Sequence, residues 1–366
     1  MTEYRTAHPF FMHDAIHEQP DCVAQVLERQ RDTIDRAAAA AASRQRILFL
    51  GIGTSYHAAL LGEHFLRHLT AGRARSQVDT SFQFVHYPIE VGPGDAVVIA
   101  SHRGYKGYSV QAMARARAAG ALTVAFTGEG GSEKIRVADF VIPTCEQENS
   151  FAHTKSYTTA LAALARFSIG VAERQGHSNS VPAARAALDD VPRLMREALR
   201  TEPAARAAAT YIAQRHQFVF LGAGPNWVTA MEAVIKVLET SYIPSSGCET
   251  EQFLHGPFSQ IDARAAAIAL VAGVPADARM TSVLEALGAL GVARVVVATP
   301  GAGTGAAAQA EQRIDVPAVA EWLSPLVLVV PLQLICYYVA LDRGTNPDRG
   351  RQNEPDHARA QKMFVL

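Results

Sequence analysis

The sequence predicts an α/β fold of two tandem sandwiches, each a parallel sheet covered by helices. Residues 46–53, RILFLGIG, recur as QFVFLGAG at 217–224, so one apolar run ending in Gly-x-Gly is repeated in the second half. Further runs follow in both halves: DAVVIAS (95–101), LTVAFT (122–127) and FVIPT (140–144), then AAIALVAG (266–273) and ARVVVATP (293–300). Strands buried on both faces of a parallel sheet read as unbroken Val/Ile/Leu runs, and the alanine-rich stretches between them supply the crossover helices. The length agrees with the repeat. At about 150 residues per domain, a chain of 366 residues holds two domains of ordinary size.

Taken in order, the expected domains are residues 1–200, comprising a lead-in segment, the first sandwich and linker helices, then 201–342 as the second sandwich, with a tail at 343–366. The linker lies within 175–215, where RQGHSNSVP reads as a turn and the alanine-rich remainder as one or two helices. The Gly/Ala-rich GAGTGAAAQA at 301–310 reads as a surface loop, and the polar tail as irregular. The longest apolar run, Leu323 to Leu341, is interrupted by Pro325, Pro331 and Gln333. It reads as a buried helix kinked at proline rather than a membrane span.

Composition narrows the function. Hydrophobic residues make up 49% and charged residues 19%, which is a globular rather than a disordered balance. Lys plus Arg number 34 against 35 Asp plus Glu, a net charge of −1, so the basic footprint of a nucleic-acid binder is missing. The opening MTEYRTAHPFFMHDAIHEQP has no apolar h-region, which points to a cytoplasmic protein without a membrane anchor. Cys22, Cys145, Cys248 and Cys336 are far apart and form no C-x-x-C, which points to reduced thiols.

In an open parallel sheet, ligands collect beyond the carboxyl ends of the strands, where loops lead into helix N-termini. Three loops of the first half qualify as ligand loops. Gly51-Ile52-Gly53-Thr54-Ser55 offers a tight turn with two hydroxyls; Ser101-His102-Arg103-Gly104-Tyr105-Lys106 offers a hydroxyl and two cations; and Glu148-Asn149-Ser150-Phe151-Ala152-His153-Thr154-Lys155-Ser156 precedes an apolar helix. Neither Gly-x-Gly extends to G-x-G-x-x-G, since position 56 is Tyr and position 227 is Trp, so a nicotinamide dinucleotide is not expected. In the second half a helix from Pro225 ends near Glu239, and His255 stands before Gly256-Pro257. A carboxylate and a histidine are the minimum for moving a proton beside a carbonyl, although taken alone each reads as a surface group. His13 and His17 stand four apart but lack the H-E-x-x-H glutamate, so no metal site is expected.

These residues resemble the double sugar-isomerase (SIS) domain family, and within it the isomerase half of glucosamine-6-phosphate synthase. The likeness covers nearly the whole chain. It rests on MHDAIHEQP (12–20), on Gly53-Thr54-Ser55-Tyr56-His57-Ala58, and on Thr154-Lys155-Ser156-Tyr157-Thr158-Thr159. Its most specific part is Ala230-Met231-Glu232-Ala233-x-x-Lys236-x-x-Glu239-x-Ser241-Tyr242-Ile243 followed by His255-Gly256-Pro257. The resemblance implies two flavodoxin-like or Rossmann-like SIS domains. It also implies that Glu239 is the enediol base, that His255 opens the sugar ring from a neighbouring subunit, and that Lys236 lies close to the sugar. Lys362 corresponds to the lysine that reaches the open-chain carbonyl from a docked tail. Thr54, Ser55 and Ser101 correspond to phosphate or hydroxyl contacts, and Glu148 to an acidic sugar contact. A shared site implies a homodimer, and proton transfer of this kind needs no cofactor or metal.

Two departures shape the expectation. The family's Ser-Gln-Ser-Gly-x-Thr phosphate loop is here Ser101-His102-Arg103-Gly104-Tyr105-Lys106, so Arg103 and Lys106 replace hydroxyls, and His153 replaces a third. An arginine fork and a lysine charge both attract anions, so the substrate is expected to be a phosphosugar or a related anionic sugar, its phosphate or a carboxylate held by those cations. The likeness begins near residue 10, with no glutaminase ahead of it, so glutamine-dependent amination is not expected of this chain. Isomerisation or deamination of a hexosamine-phosphate-like substrate is preferred. Cleavage of a sugar–amino-acid conjugate phosphate, or a non-catalytic sugar-phosphate regulator, is the alternative.

Overall fold

The computed structural model describes residues 4–87, 89–177, 180–301, 305 and 308–363. The chain divides into two compact units. One, here the first-sheet unit, comprises Glu18–Glu148, Lys155–Pro192 and Arg351–Leu366; the other, the second-sheet unit, comprises Met1–His17, Asn149–Thr154 and Arg193–Gly350. After the first sheet the chain passes into the second-sheet unit at Asn149, returns at Lys155 and passes again at Arg193, within a helix.

The first-sheet unit contains strands β1 (Arg46–Gly51), β2 (Ser76–Thr80), β3 (Asp95–Ala100), β4 (Leu122–Thr127) and β5 (Phe140–Pro143). They pair in parallel in the order β2-β1-β3-β4-β5. The helices are α1 (Phe11–Arg29, from Glu18 onward), α2 (Arg31–Ala42), α3 (Thr54–Leu69), α4 (Ser81–His86), α5 (Gly107–Ala118), α6 (Lys155–Arg174) and α7 (Val181–Leu199, as far as Pro192). Leu48, Leu50, Val97, Ile99 and Ala125 pack one sheet face against Ala112, Met113 and Ala116 of α5. β3 and β4 are buried along their whole length, as unbroken apolar runs require.

The second-sheet unit repeats this plan. After α8 (Glu202–Ile212) come β6 (Gln217–Gly222), α9 (Pro225–Thr240), β7 (Ser245–Glu249), α10 (Thr250–Leu254), β8 (Ala265–Val271), α11 (Asp277–Ala289), β9 (Ala293–Ala298) and β10 (Gln312–Asp315), then α12 (Ser324–Asp342). The sheet order β10-β9-β8-β6-β7 is the first order read backwards, and all pairs are again parallel. The repeated glycines explain the match. Gly53 and Gly224 precede α3 and α9 with φ/ψ of 59/−131° and 54/−129°, a region open to glycine and little else. A Cβ on Gly51 would lie 2.2 Å from the Ser55 carbonyl oxygen, and one on Gly222 would lie 2.3 Å from that of Asn226, so each strand needs glycine to let its helix start so close.

The apolar run at the end of the second half is a helix of the core. Within Glu321–Asp342 an 18-residue stretch has mean hydropathy 1.9 and is 94% buried, and α12 runs unbroken through Pro331. Pro325 falls in its first turn, where a missing N–H costs nothing. Three strands escape the sequence reading, and one expectation needs correction. β2, β7 and β10 were not legible as strands; all three are edge strands, and none is uniformly buried. The tail is not wholly irregular, because α13 (Pro355–Gln361) forms on a proline start, Asp356 in its first turn and Arg359 at its end, joined by a 2.9 Å ion pair. Half of the loop expected at 301–310 falls outside the described residues, as do 178–179 of the expected turn.

Candidate active site

In the first-sheet unit, two of the anticipated loops open at the carboxyl end of the sheet, from adjacent interior strands. β1 and β3 are hydrogen-bonded neighbours with Leu50 beside Ile99, so Gly51–Ser55 and Ser101–Lys106 both emerge from their carboxyl ends. Thr54 and Ser55 form the first turn of α3. The Ser101–Gly104 loop is pinned from behind: Thr127 Oγ1 donates to the Ser101 and His102 carbonyls at 2.9 and 3.2 Å, and the Gly128 and Ser132 amides donate to His102 and Arg103 carbonyls. Gly104 takes φ +69°, and a Cβ there would press on Ile135 at 2.8 Å. Ser101 is 3% exposed, and its Oγ has no hydrogen-bond partner among the described residues. A hydroxyl in that state has lost water without a replacement.

The cations of this loop differ in character. Arg103 donates to the Tyr105 hydroxyl at 3.1 Å on the surface, and Lys106 occupies the N-cap position of α5. His102 is not a third cation, because burial pushes its pKa down to about 4; Glu148 acts against that shift, and Arg103 and Lys155 add to it. Glu148 is buried and accepts the Ser156 amide at 2.9 Å, so its carboxylate sits on the N-terminal turn of α6. Lys155, in the same turn, pairs with Glu18 at 2.5 Å.

The second-sheet unit carries the acid–base candidates. On α9, residues 232, 236 and 239 share a face at helical spacing. Lys236 is fully buried; its Nζ donates to Glu239 Oε2 at 2.8 Å and lies 3.4 Å from Oε1 of fully buried Glu232. Glu239 alone of the three reaches outward, with 27% of its side chain exposed. One buried ammonium thus holds two carboxylates, and one of those remains accessible. The helix closes just beyond: Tyr242 adopts φ +61°, and Thr345 Oγ1 donates to the Thr240 carbonyl at 2.7 Å. Glu239 is therefore in the last turn of the helix and not a solvated acid past its end.

His255 ends α10 with its ring 66% exposed, paired at 3.2 Å with Glu251, which is also held by Arg279 at 2.5 Å. Within one chain the His255 ring is engaged by Glu251, and the Glu239 carboxylate by Lys236. Lys236, Glu239, His255 and His153 belong to the second-sheet unit; Thr54, Ser55, Ser101, His102, Arg103, Lys106, Glu148 and Lys362 belong to the first. Lys362 is exposed at the end of α13. Glu232 was quoted in the sequence motif without a role. Its position four residues before a lysine on an apolar helix was the signal for it.

Residues 41–169 and 211–343 each match the SIS domain. The chain belongs to the SIS domain family, with two copies of the domain in tandem. It is 29% identical over 350 residues to the glutamine–fructose-6-phosphate aminotransferase (isomerizing) of Thermococcus kodakarensis, covering 95% of this chain and 58% of that protein. It thus spans a little over half the length of that relative. Among solved structures it resembles the C-terminal domain of glucosamine-fructose-6-phosphate aminotransferase from Francisella tularensis, with a TM-score of 0.82 at 20% identity over 93% of this chain and 99% of that one. It also resembles tagatose-6-phosphate ketose/aldose isomerase from Escherichia coli, with a TM-score of 0.77 at 18% identity over 95% and 97% of the two chains. At these identities the structural likeness speaks for the fold alone.

Proposed function

We propose that this chain is a phosphosugar isomerase-type enzyme that moves a proton between neighbouring carbons of an aldose, ketose or amino-sugar phosphate. The observation that supports this most is the α9 arrangement, in which buried Lys236 fixes Glu239 by one oxygen while the side chain stays partly open to solvent. A base that must take a proton from carbon and return it next door needs a fixed, accessible carboxylate. SIS domains serve as both enzymes and binding modules, and retention of Glu239 together with His255 favours the enzyme.

The substrate's anionic end sits on the loops at 53–55 and 101–106, where the Ser101 hydroxyl, unpartnered among the described residues, supplies a donor and Arg103 and Lys106 supply two charges. Ring opening falls to His255, in the shared site of a homodimer. Glu239 then removes the proton alpha to the carbonyl or imine and delivers it to the adjacent carbon. Lys362 or backbone N–H groups offset the charge of the enediol or enolamine. Where C2 carries an amine, the proton transfer leaves a C2 imine, and attack of water on that carbon releases ammonia and gives the ketose; an amino acid attached through that nitrogen is released in the same hydrolysis, the reaction of a deglycase.

A thermal-shift screen of hexose, hexosamine and sugar–amino-acid phosphates, followed by product analysis in deuterated water on each stabilising compound, tests this reading. A true ligand raises the melting temperature by mass action, and turnover places deuterium on C1 or C2 of the product. A ligand that stabilises the protein yet shows no exchange and no product would favour the regulatory module instead.

A further inference from the structure

Two histidines and one glutamate in the second-sheet unit converge outside the groups assigned to sugar chemistry. His13 and His17 are four residues apart on α1, so their rings share one helix face, with centroids 4.4 Å apart. Opposite them is Glu202, which opens α8 and lies 189 positions after His13. His13 Nε2 is 2.7 Å from Glu202 Oε1, and His17 Nε2 is 3.2 Å from Oε2. The three ligating atoms all lie within 4.8 Å of one another.

We infer that His13, His17 and Glu202 form a binding site for a divalent transition-metal ion of the zinc class. Zinc bonds of about 2.0–2.1 Å to imidazole nitrogen and carboxylate oxygen place neighbouring tetrahedral ligands about 3.3 Å apart. The spacings here need only small side-chain shifts to meet that. An ion shared by both Nε2 lone pairs uses both rings and the carboxylate at once. Two imidazoles select zinc, cobalt or nickel over magnesium and calcium, which prefer all-oxygen sites.

The surroundings are those of a supported site. Tyr338 donates to Glu202 Oε1 at 2.6 Å and orients the carboxylate, and the His8 ring meets the His13 ring edge-on at 4.9 Å. His13 is 17% exposed and Glu202 22%, while His17 at 38% leaves an approach for the ion and a position for water or an outside ligand. The sequence alone gave no third ligand because the motif that usually supplies one, H-E-x-x-H, is absent. Here the fold supplies it from another helix. A bound ion would clamp the start of α1 to the start of α8.

The test is titration of the EDTA-treated, dialysed full chain with zinc chloride by calorimetry, and with cobalt chloride by visible absorption. One ion per chain, with a cobalt d–d spectrum of mixed nitrogen and oxygen ligation and a zinc-dependent rise in melting temperature, is the expected result. His17→Ala and Glu202→Gln should abolish binding, and His216→Ala should leave it intact. Tyr338→Phe, which keeps all three ligands, should weaken binding about 10–100-fold, as loss of an orienting partner does. Absence of a binding isotherm for wild type would overturn the proposal, and so would binding that survives both ligand substitutions. Because the readouts are metal affinity and melting, the outcome is independent of whether the chain turns over a sugar.

Discussion

Lys236 donates to Glu239 at 2.8 Å from a wholly buried position, and the side chain it holds is 27% exposed. This pairing fixes one oxygen of the proposed base and leaves the group accessible. Replacing Glu239 by Gln keeps the size and removes the basic lone pair. Glu239→Gln should bind a stabilising phosphosugar with nearly unchanged affinity while turnover falls by about 10²–10⁴, the usual worth of a positioned acid–base group. Solvent deuterium incorporation at C1 or C2 checks it: exchange at the wild-type rate would remove Glu239 from the role.

The same lysine has a second carboxylate neighbour, and that makes it a structural element as well. Lys236→Met leaves Glu232, which has no exposed surface, without its counter-charge. Breaking a buried pair from one side costs about 3–5 kcal/mol. Adding Glu232→Gln to the methionine variant should recover a large part of that loss, because it removes the stranded charge. Urea unfolding of the two singles and the double at pH 7 measures the coupling, and strictly additive losses would mean the two groups do not stabilise one another.

Gly51 and Gly53 constrain the first ligand loop by different means. At Gly51 a methyl group meets backbone, 2.2 Å from the Ser55 carbonyl oxygen; at Gly53 the space is open but φ is +59°. Gly51→Ala should therefore push β1 and α3 apart at a cost of at least about 1–3 kcal/mol and displace Thr54 and Ser55. Gly53→Ala should cost about 1–3 kcal/mol through strain. The distinguishing measurement is KM for a turned-over phosphosugar beside the melting temperature. Gly51→Ala should raise KM, and an unchanged KM would take the 53–55 loop out of the ligand site.

The parts of this molecule that were legible in its sequence are those where one physical demand dominates. Central strands must be apolar on both faces, so β1, β3, β4, β6, β8 and β9 were all readable as runs. Edge strands have no such demand: Ser76–Thr80 and Ser245–Glu249 are polar enough to pass for turns. The Glu232, Lys236 and Glu239 cluster was half legible. Helical spacing puts the three on one face, but only the packing of α9 against its neighbours turns a lysine at that position into a buried one. His13, His17 and Glu202 were not legible together, since nothing local in sequence announces that α8 begins opposite the α1 histidines.

His102 gives the chain a pH dependence whose sign follows from its burial. Its ordinary pKa near 6.5 falls to about 4 in the fold, chiefly through desolvation. Between those values the unfolded chain binds a proton that the folded one does not. Stability is therefore full above pH 6.5 and is lost as pH falls toward 4, with a slope of up to about 1.4 kcal/mol per pH unit. His64, also lowered to about 4 by burial, acts in the same direction. His102→Gln should flatten the stability profile between pH 6.5 and 4.5 by the His102 share, leaving that of the other lowered histidines, while keeping the pH 7 value close to wild type. Urea unfolding at half-unit pH steps checks this. An unaltered slope in the variant would mean that burial does not lower the His102 pKa in the fold.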